Sequence, residues 1–331
     1  MISVVIPCYN SSRTIGKVVA LTAAELDRLG YPEHEFVLVD DSSPDNGATA
    51  EVLRTLSRTR NDVKAVLLAH NAGQHNAIMA ALNFAVGDTI IGMDDDMQTH
   101  PSQLGKLLAE YEKGYDLVYG YYPEKKHSGF RNFGSYINYI SSRILIGKPK
   151  WLRSSSYWVI RKFVRDYVIQ YKGAYAYTQG LFLRTTKNIS CIPIEHFERE
   201  VGKSNYTFKK LVRLWSNIIG FSVVPLRLAT YVGYIFSVLG ILGALFVVIR
   251  RLLVPTMAIG WPSMMAAICF FSGINLLFMG LIGEYVGRMF LGMNRNPQYV
   301  VRETCGIERK ENEQAKKTDD TGSGDLSAAA D

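Results

Sequence analysis

Apolar runs and helical patterns alternate along the first third of the chain. Runs such as ISVVIP, EFVLVD, VKAVLLA, DTIIGM and DLVYGYY are typical of buried strands. Between them, stretches such as SRTIGKVVALTAAELDRLG, GATAEVLRTLSRT, QHNAIMAALNFAV and PSQLGKLLAEYEKG have helical spacing. This alternation in residues 1–122 predicts an α/β domain with a mostly parallel sheet and helices on both faces.

Two segments after this domain have an amphipathic character. In residues 129–147, apolar residues such as Phe130, Ile137 and Ile144 share one side of a predicted helix. Residues 204–227 mix aromatic and aliphatic residues with basic ones, which suits a membrane interface. The alternative for both segments is packing against the α/β domain, and the sequence leaves it open.

Two long uncharged stretches follow. No residue from 228 to 249 is charged, which is about 22 positions and enough for a helix to cross a bilayer. The second stretch runs from 252 to 283, and Pro255 and Pro262 interrupt it early, leaving a span at 263–282. Because a short link joins them, the pair favours a transmembrane hairpin over two buried core helices.

The basic residues that flank these stretches predict the orientation of the hairpin. Four of them precede the first span (Lys209, Lys210, Arg213 and Arg227) and three follow the second (Arg288, Arg295 and Arg302). Only two, Arg250 and Arg251, lie in the link. The excess outside the link predicts that both ends of the hairpin, and with them the α/β domain, are cytoplasmic.

Composition narrows the range of partners. The net charge of +7 suits an anionic membrane surface or phosphorylated substrates. The basic residues form no dense tract, so nucleic acid is not an expected partner. Four cysteines without metal or disulfide spacing indicate a reducing compartment, and the strand pattern at the start predicts no cleavable signal peptide.

Four polar clusters stand where predicted strands end. They are PCYN at 7–10, DDSSPDNG at 40–47, HNAGQHN at 70–76, and the aspartate triplet at 94–96. In an open α/β sheet, ligands bind beyond the carboxyl ends of the strands. One such cluster would be ordinary turn chemistry, but four at the same edge indicate a binding site.

The motifs at this edge exclude two classes of nucleotide-binding protein. No G-x-G-x-x-G follows the first strand and no G-x-x-x-x-G-K-[ST] occurs, which disfavours a dinucleotide oxidoreductase and a P-loop NTPase. Clustered aspartates suit Mg²⁺ or Mn²⁺, which keeps part of its coordination shell for water and substrate phosphates. Such a cation neutralises a diphosphate leaving group.

The segments VVIPCYN, VDDSSPDN, NAGQHNAIMAAL and MDDDMQTHP resemble, in order and spacing, the nucleotide-binding half of family 2 glycosyltransferases. That family has the Rossmann-like GT-A fold and uses nucleotide-sugar donors. Four later segments narrow the resemblance to polyprenyl-phosphate glycosyltransferases: HFEREVGKSNYTFKKLVRLW, GFSVVPLR, GLIGEYVGR and NPQYVV. This group contains the dolichol-phosphate mannose synthases and the undecaprenyl-phosphate sugar transferases, such as the bacterial aminoarabinose transferase. The whole resemblance covers about residues 1–303.

The resemblance implies an activity and a place for it. The expected reaction is inverting transfer of a sugar, from a nucleotide sugar that we expect to be a UDP-sugar, to undecaprenyl or another polyprenyl phosphate. It would take place at the cytoplasmic face of the cell membrane and serve cell-envelope glycan or lipid modification. Related proteins make a homo-oligomer such as a tetramer an expectation.

The expected domains follow from the patterns and the resemblance together. They are a GT-A catalytic domain at 1–203 with an acceptor-side helix near 129–147, an interfacial segment at 204–227, two transmembrane helices within 228–287, a cytoplasmic segment at 288–305, and a disordered tail at 306–331.

The resemblance also implies the donor site. Asp94, Asp96 and Gln98 would face the metal and the diphosphate, with Asp96 as the direct ligand and Asp95 only filling the position between. Residues expected around the nucleotide are Asp41 for the base with Asp40 as the alternative, then Pro7, Tyr9 and Asn10 in the pocket, and Asn71, Gly73 and Gln74 in the segment that closes over it.

Basic residues complete the site that the resemblance implies. Arg131 and Ser135, four residues apart on one helix face, match family residues at the lipid phosphate. Arg199 and Lys203 match the basic segment over the donor diphosphate. Arg288 either reaches the lipid headgroup or only anchors the helix. A phosphate monoester is largely anionic at neutral pH, so a dedicated general base is not required.

One departure and two alternatives complete the prediction. Many members have Gly-Asp-Phe-Arg where this chain reads SSSYWV, so Ser156 replaces an aspartate near the sugar pocket and the donor sugar is not carried over. A processive polysaccharide synthase would show Q-x-x-R-W and more spans, neither of which is visible. An inactive scaffold or flippase subunit is disfavoured by Asp94, Asp96, Gln98 and Arg131.

Overall fold

The fold was obtained as a computed structural model. The structure describes residues 1–123, 148–173, 176–195, 197, 224–253, 260–293 and 297–307 of the 331. The predicted helix at 129–147, residues 204–223 of the predicted interfacial segment, and residues 308–331 of the tail lie outside the described residues.

Eight strands in the described residues form one sheet. They are β1 (Ile2–Cys8), β2 (His34–Asp40), β3 (Val63–Leu68), β4 (Thr89–Gly92), β5 (Leu117–Tyr121), β6 (Trp158–Arg161), β7 (Ile189–Pro193) and β8 (Val301–Cys305). Their order across the sheet is β7-β5-β6-β4-β1-β2-β3-β8. Strands β3, β2, β1 and β4 are mutually parallel, as predicted.

The outer strands depart from a simple alternation. Strand β6 inserts between β4 and β5 and is antiparallel to both, with Gly92 opposite Trp158. Because of this direction, β6 begins at the edge of the sheet where β4 ends. Strand β7 is parallel to β5 and lies at one border of the sheet.

Helices cover both faces of the sheet. The described helices are α1 (Ile15–Arg28), α2 (Ala48–Thr59), α3 (Gln74–Phe84), α4 (Leu104–Tyr111), α5 (Lys162–Val168), α6 (Thr178–Thr185), α7 (Val224–Leu253) and α8 (Trp261–Met293). In β1, Val5 belongs to the core under α3, α5 and α6, while Val4 and Ile6 belong to the core under α1, α2 and α4. Burial on both faces explains why the central strands are largely apolar rather than alternating in the sequence.

The two long helices correspond to the predicted hairpin. Among the described residues, Phe270–Gly287 in α8 is the one helical segment long and apolar enough to cross a membrane. This segment overlaps the predicted span at 263–282. In α7 the apolar stretch Ala229–Gly240 is shorter than a membrane span, so the first crossing at 228–249 stays a prediction.

The last strand follows the long helices and returns to the sheet. Strand β8 pairs antiparallel with β3, and the guanidinium of Arg54 in α2 donates to both carboxylate oxygens of Glu303 at 3.0 and 2.9 Å. The side-chain amide of Gln298 donates to the carbonyls of Tyr171 and Gly173 at 2.7 and 2.8 Å. Part of the segment predicted to lie beyond the membrane, 288–305, is thus an edge strand of the α/β domain.

Candidate active site

The four polar clusters meet at the carboxyl edge of the sheet, where hydrogen bonds join each loop to the next. The loop after β1 is bonded to the loop after β2, because the Asn10 N–H donates to the Ser43 hydroxyl at 2.9 Å. Ser43 in turn donates to Asp40 Oδ1 at 2.5 Å. Asp40 is only 5% exposed, and this burial raises the pKa of its carboxyl group.

Asp41 joins the loop after β2 to the turn that enters α3. One carboxylate oxygen accepts from the Ala72 N–H at 2.6 Å and the other from the Gly73 N–H at 2.9 Å. Burial raises the pKa of Asp41 as well. Gly73 has φ 88° and ψ 153°, a conformation open essentially to glycine alone, so the turn depends on both residues.

Asp95 joins the loop after β1 to the loop after β4. Its carboxylate accepts hydrogen bonds from the Tyr9 N–H at 3.0 Å and from the Ser11 hydroxyl. Burial raises the pKa of the Asp95 carboxyl group. Asp95 therefore does more than fill the position between Asp94 and Asp96, because its carboxylate holds two loops together.

Asp94 is held from two directions. The side-chain amide of Gln74, at the start of α3, donates to Asp94 Oδ1 at 3.2 Å. The hydroxyl of Ser156, just before β6, donates to the other oxygen. The bond from Gln74 completes a ring of contacts through all four loops. Ser156, which replaces the aspartate of the family pattern, adds a fifth loop to this ring.

Asp96 and Gln98 lie in the same turn as Asp94. Asp96 Oδ1 accepts from the Gln98 N–H at 3.1 Å, and Tyr122 donates its hydroxyl to the Gln98 carbonyl at 3.2 Å. Burial raises the pKa of Tyr122, and the negative charges of Asp94 and Asp96 raise it further. Both carboxylates therefore act on one phenol group. Met97, between Asp96 and Gln98, has φ 65°, a strained backbone conformation at the centre of this turn.

The two outer aspartates fit a divalent cation that binds together with a phosphorylated ligand. In the described part of the chain, no three His, Cys, Asp or Glu side chains are grouped so as to hold a metal by themselves. Mg²⁺ typically takes one or two carboxylates and completes its shell with water and substrate phosphates. Asp94 and Asp96 meet that requirement, and Asp95 is turned to the loop after β1.

The remaining predicted nucleotide residues stand at the same edge. Tyr9 is about half exposed at 49%, and Asn71 is exposed on the turn before α3. Pro7 lines a small depression with Gly92, Asp94, Ser156 and others. A side chain in place of Gly92 would put its Cβ 2.1 Å from the indole of Trp158, so glycine is required here.

Several predicted residues are not located by the structure. Arg131, Ser135, Arg199 and Lys203 lie outside the described residues. Arg288 belongs to α8, but the structure does not describe its side chain. The acceptor side of the predicted site therefore stays a prediction.

Comparison with known families identifies the family of the chain. The model of Glycosyl transferase family 2 matches residues 3–171, just over half of the chain. The chain therefore belongs to glycosyl transferase family 2, and it is a glycosyltransferase. A second family model, described as the GtrB C-terminal hairpin, matches residues 224–289 and so covers most of α7 and α8.

Solved structures agree with the fold. A structure of glucosyl-3-phosphoglycerate synthase from Mycobacterium tuberculosis with phosphoglyceric acid has a TM-score of 0.50 and 17% identity, covering 67% of this chain and 80% of that one. Two more structures of that enzyme have TM-scores of 0.48. The one with Mn²⁺, UDP-glucose and phosphoglyceric acid has 18% identity and covers 68% of this chain and 79% of that one. The one with Mn²⁺, UDP and glucosyl-3-phosphoglycerate has 20% identity and covers 67% of this chain and 78% of that one. At 17% identity the likeness to the structure with phosphoglyceric acid, whose TM-score is 0.50, shows the fold alone, and with the family match it confirms the GT-A-like prediction.

Proposed function

We propose that the protein transfers a sugar from a nucleotide diphosphate sugar to polyprenyl phosphate, with a UDP-sugar as the expected donor and undecaprenyl phosphate as the expected acceptor. The observation that carries this proposal is the ring of bonded loops around Asp94 and Asp96, in a chain whose long helices match the GtrB hairpin. The ring supplies a donor site, and the hairpin favours a lipid acceptor.

On the donor side, Asp94 and Asp96 with Gln98 would hold Mg²⁺ or Mn²⁺. The cation would supply charge neutralisation for the diphosphate leaving group. Gln74 and Ser156 fix the Asp94 carboxylate through their two hydrogen bonds, so its position is set before the donor arrives. The exposed ring of Tyr9 suits contact with the nucleotide.

The reaction itself needs little acid–base chemistry from the protein. An oxygen of the acceptor phosphate would bond to the anomeric carbon as the bond from that carbon to the donor diphosphate breaks, with inversion. The nucleophile is already anionic at neutral pH, because the second pKa of a phosphate monoester is about 6. Positioning and charge neutralisation would supply most of the rate, with Arg131 and Arg199 as the expected cations.

We also propose that α7 and α8 both cross the membrane. Helix α7 follows the catalytic domain, and the segment after α8 returns to the same domain as β8. Two crossings would satisfy both attachments, with the link at 254–260 on the far side. The basic flanks favour a cytoplasmic catalytic domain.

The test is transfer by the purified full-length protein. It would be incubated with undecaprenyl phosphate, Mg²⁺ or Mn²⁺, and UDP-, GDP- and dTDP-sugars, and the lipid products identified by mass spectrometry. We expect one donor class to yield a sugar phosphate lipid and Asp96→Asn to abolish it. Asp88→Asn is the matched control, since Asp88 is exposed on the loop before β4, at the opposite edge of the sheet. Folded protein that gives no product with any donor would refute the proposal.

A further inference from the structure

A partly buried lysine lies near the aspartates. The Lys148 ammonium donates to the Ser154 hydroxyl at 2.6 Å. That hydroxyl donates to Gln179 Oε1 at 3.2 Å, and the Tyr177 hydroxyl donates to the same oxygen, also at 3.2 Å. In the described part of the chain, no carboxylate pairs with this ammonium. These four residues are called the lysine pocket below.

The pocket is connected to Asp94 along two routes. Ser154 is two residues before Ser156, whose hydroxyl bonds to Asp94, and two residues span at most about 7 Å. On the other side, His75 Nδ1 lies 2.8 Å from the hydroxyl of Thr178, the neighbour of Gln179. Gln74, next to His75, bonds to Asp94. The lysine pocket and the acidic site are therefore neighbours at one edge.

The surroundings of the pocket favour an anion. No acidic residue occurs from 148 to 165, and the same loop carries Lys150 and Arg153. Helix α6 begins beside the pocket with no side-chain cap and no acidic residue in its first turn, so its partial positive charge is not offset there. Burial lowers the pKa of Lys148, because a desolvated ammonium without a counterion is unfavourable.

We infer that the lysine pocket binds the phosphate monoester of the acceptor, through Lys148, Ser154 and Gln179, a conclusion that rests on the proposed function. An inverting displacement places the sugar between the leaving diphosphate and the incoming phosphate. The two anions therefore need separate subsites on either side of the sugar. Asp94 and Asp96 with a cation would bind the leaving diphosphate. The lysine pocket, which is positively charged, lies next to these carboxylates and would bind the incoming phosphate.

Protection from amine modification tests the pocket without requiring turnover. The full-length protein in detergent would be treated with limiting acetic anhydride, and the modification rates of Lys148 and Lys150 followed by mass spectrometry. Farnesyl phosphate at ten times its Kd should slow the reaction of Lys148 about tenfold and leave exposed Lys150 unchanged. Farnesol should give no protection.

Three outcomes of this experiment would overturn the inference. Equal protection by farnesol would show that the pocket binds the chain and not the phosphate. Equal protection by inorganic phosphate at the same concentration would assign the pocket to free phosphate. Protection by UDP as strong as that by farnesyl phosphate would assign it to the donor.

Kinetics of matched variants provide a second readout. Lys148→Gln should raise the KM for polyprenyl phosphate about 10- to 100-fold through loss of a charged hydrogen bond, with the donor KM unchanged. Lys148→Arg should recover part of the loss, and Lys150→Gln should match the wild type. An unchanged acceptor KM in folded Lys148→Gln would contradict the assignment. If the wild-type protein transfers no sugar, the proposed function fails, while the protection experiment still decides whether the pocket binds a phosphate.

Discussion

Replacing Asp41 by Asn should loosen the turn that enters α3. The Asp41 carboxylate accepts from the backbone N–H groups of Ala72 and Gly73 at 2.6 and 2.9 Å. An asparagine amide has one oxygen and no charge, so Asp41→Asn keeps at most one acceptor oxygen for the two N–H groups. The side chain of Gln74, the next residue, bonds to Asp94. The variant should therefore also disturb the candidate metal site.

The size of the effect follows from the type of bond that is lost. A hydrogen bond to a charged group is worth about 1.5–3 kcal/mol, which corresponds to about 10- to 150-fold in an opening equilibrium. Hydrogen–deuterium exchange measures that equilibrium at individual amides. We expect at least one of the amides of Ala72 and Gly73 to lose protection by a factor in that range.

The neighbouring residue gives a matched control. The Asp40 carboxylate accepts from the Ser43 N–H at 3.2 Å and from its hydroxyl, so Asp40→Asn makes the same chemical change one position away. It should reduce protection at Ser43 and leave Ala72 and Gly73 unchanged. Equal effects of the two variants at Ala72 and Gly73, or no effect of either, would refute the role given to Asp41.

Three further predictions concern stability. Burial lowers the pKa of His75 from 6.5 to about 4. Because the folded value is the lower one, this contribution to stability is present above pH 6.5 and is lost as the pH falls towards 4. Between pH 7 and 5 the free energy of unfolding should fall by about 1–2 kcal/mol in urea titrations, and His75→Asn should lose this part of the pH dependence. Gly92→Ala would place a methyl group against the indole of Trp158 and should cost about 1–3 kcal/mol of stability in thermal melts. Gly16→Ala should not destabilise the protein, because nothing lies within 4 Å of the added Cβ. Glu303→Gln breaks a partly exposed ion pair with Arg54 and should cost less than about 1 kcal/mol, with the difference shrinking at high salt; a larger loss would mean that the pair is more strongly desolvated than its exposure indicates.

Much of the central sheet was predictable from local pattern. Strands β1 to β4 are buried on both faces, so they appear in the sequence as largely apolar runs between turn residues. The polar clusters at their ends could be assigned to one edge because parallel strands point the same way. The contacts of Asp41 with the turn before α3 and of Gln74 with Asp94 confirm that the clusters meet.

The outer strands could not be found in the same way. Strands β6 and β8 pair with strands that lie far from them in the chain, and such pairing partners are not encoded locally. The order β4-β6-β5 is what brings Ser156 to Asp94, which is 62 residues earlier in the chain. The role of Asp95 was missed for a similar reason, because its partner Tyr9 is 86 residues away.

The late position of β8 in the chain has a consequence for biosynthesis. This strand covers the outer edge of β3, where the Ala69 N–H donates to the Val300 carbonyl at 2.8 Å and Leu67 stands opposite Glu303. An uncovered edge strand is a template for aggregation. During translation, β3 is made long before its partner, which follows only after α7 and α8 have been synthesised. The sheet of the catalytic domain is therefore completed last, and a fragment ending before α7 would carry an exposed edge from the start.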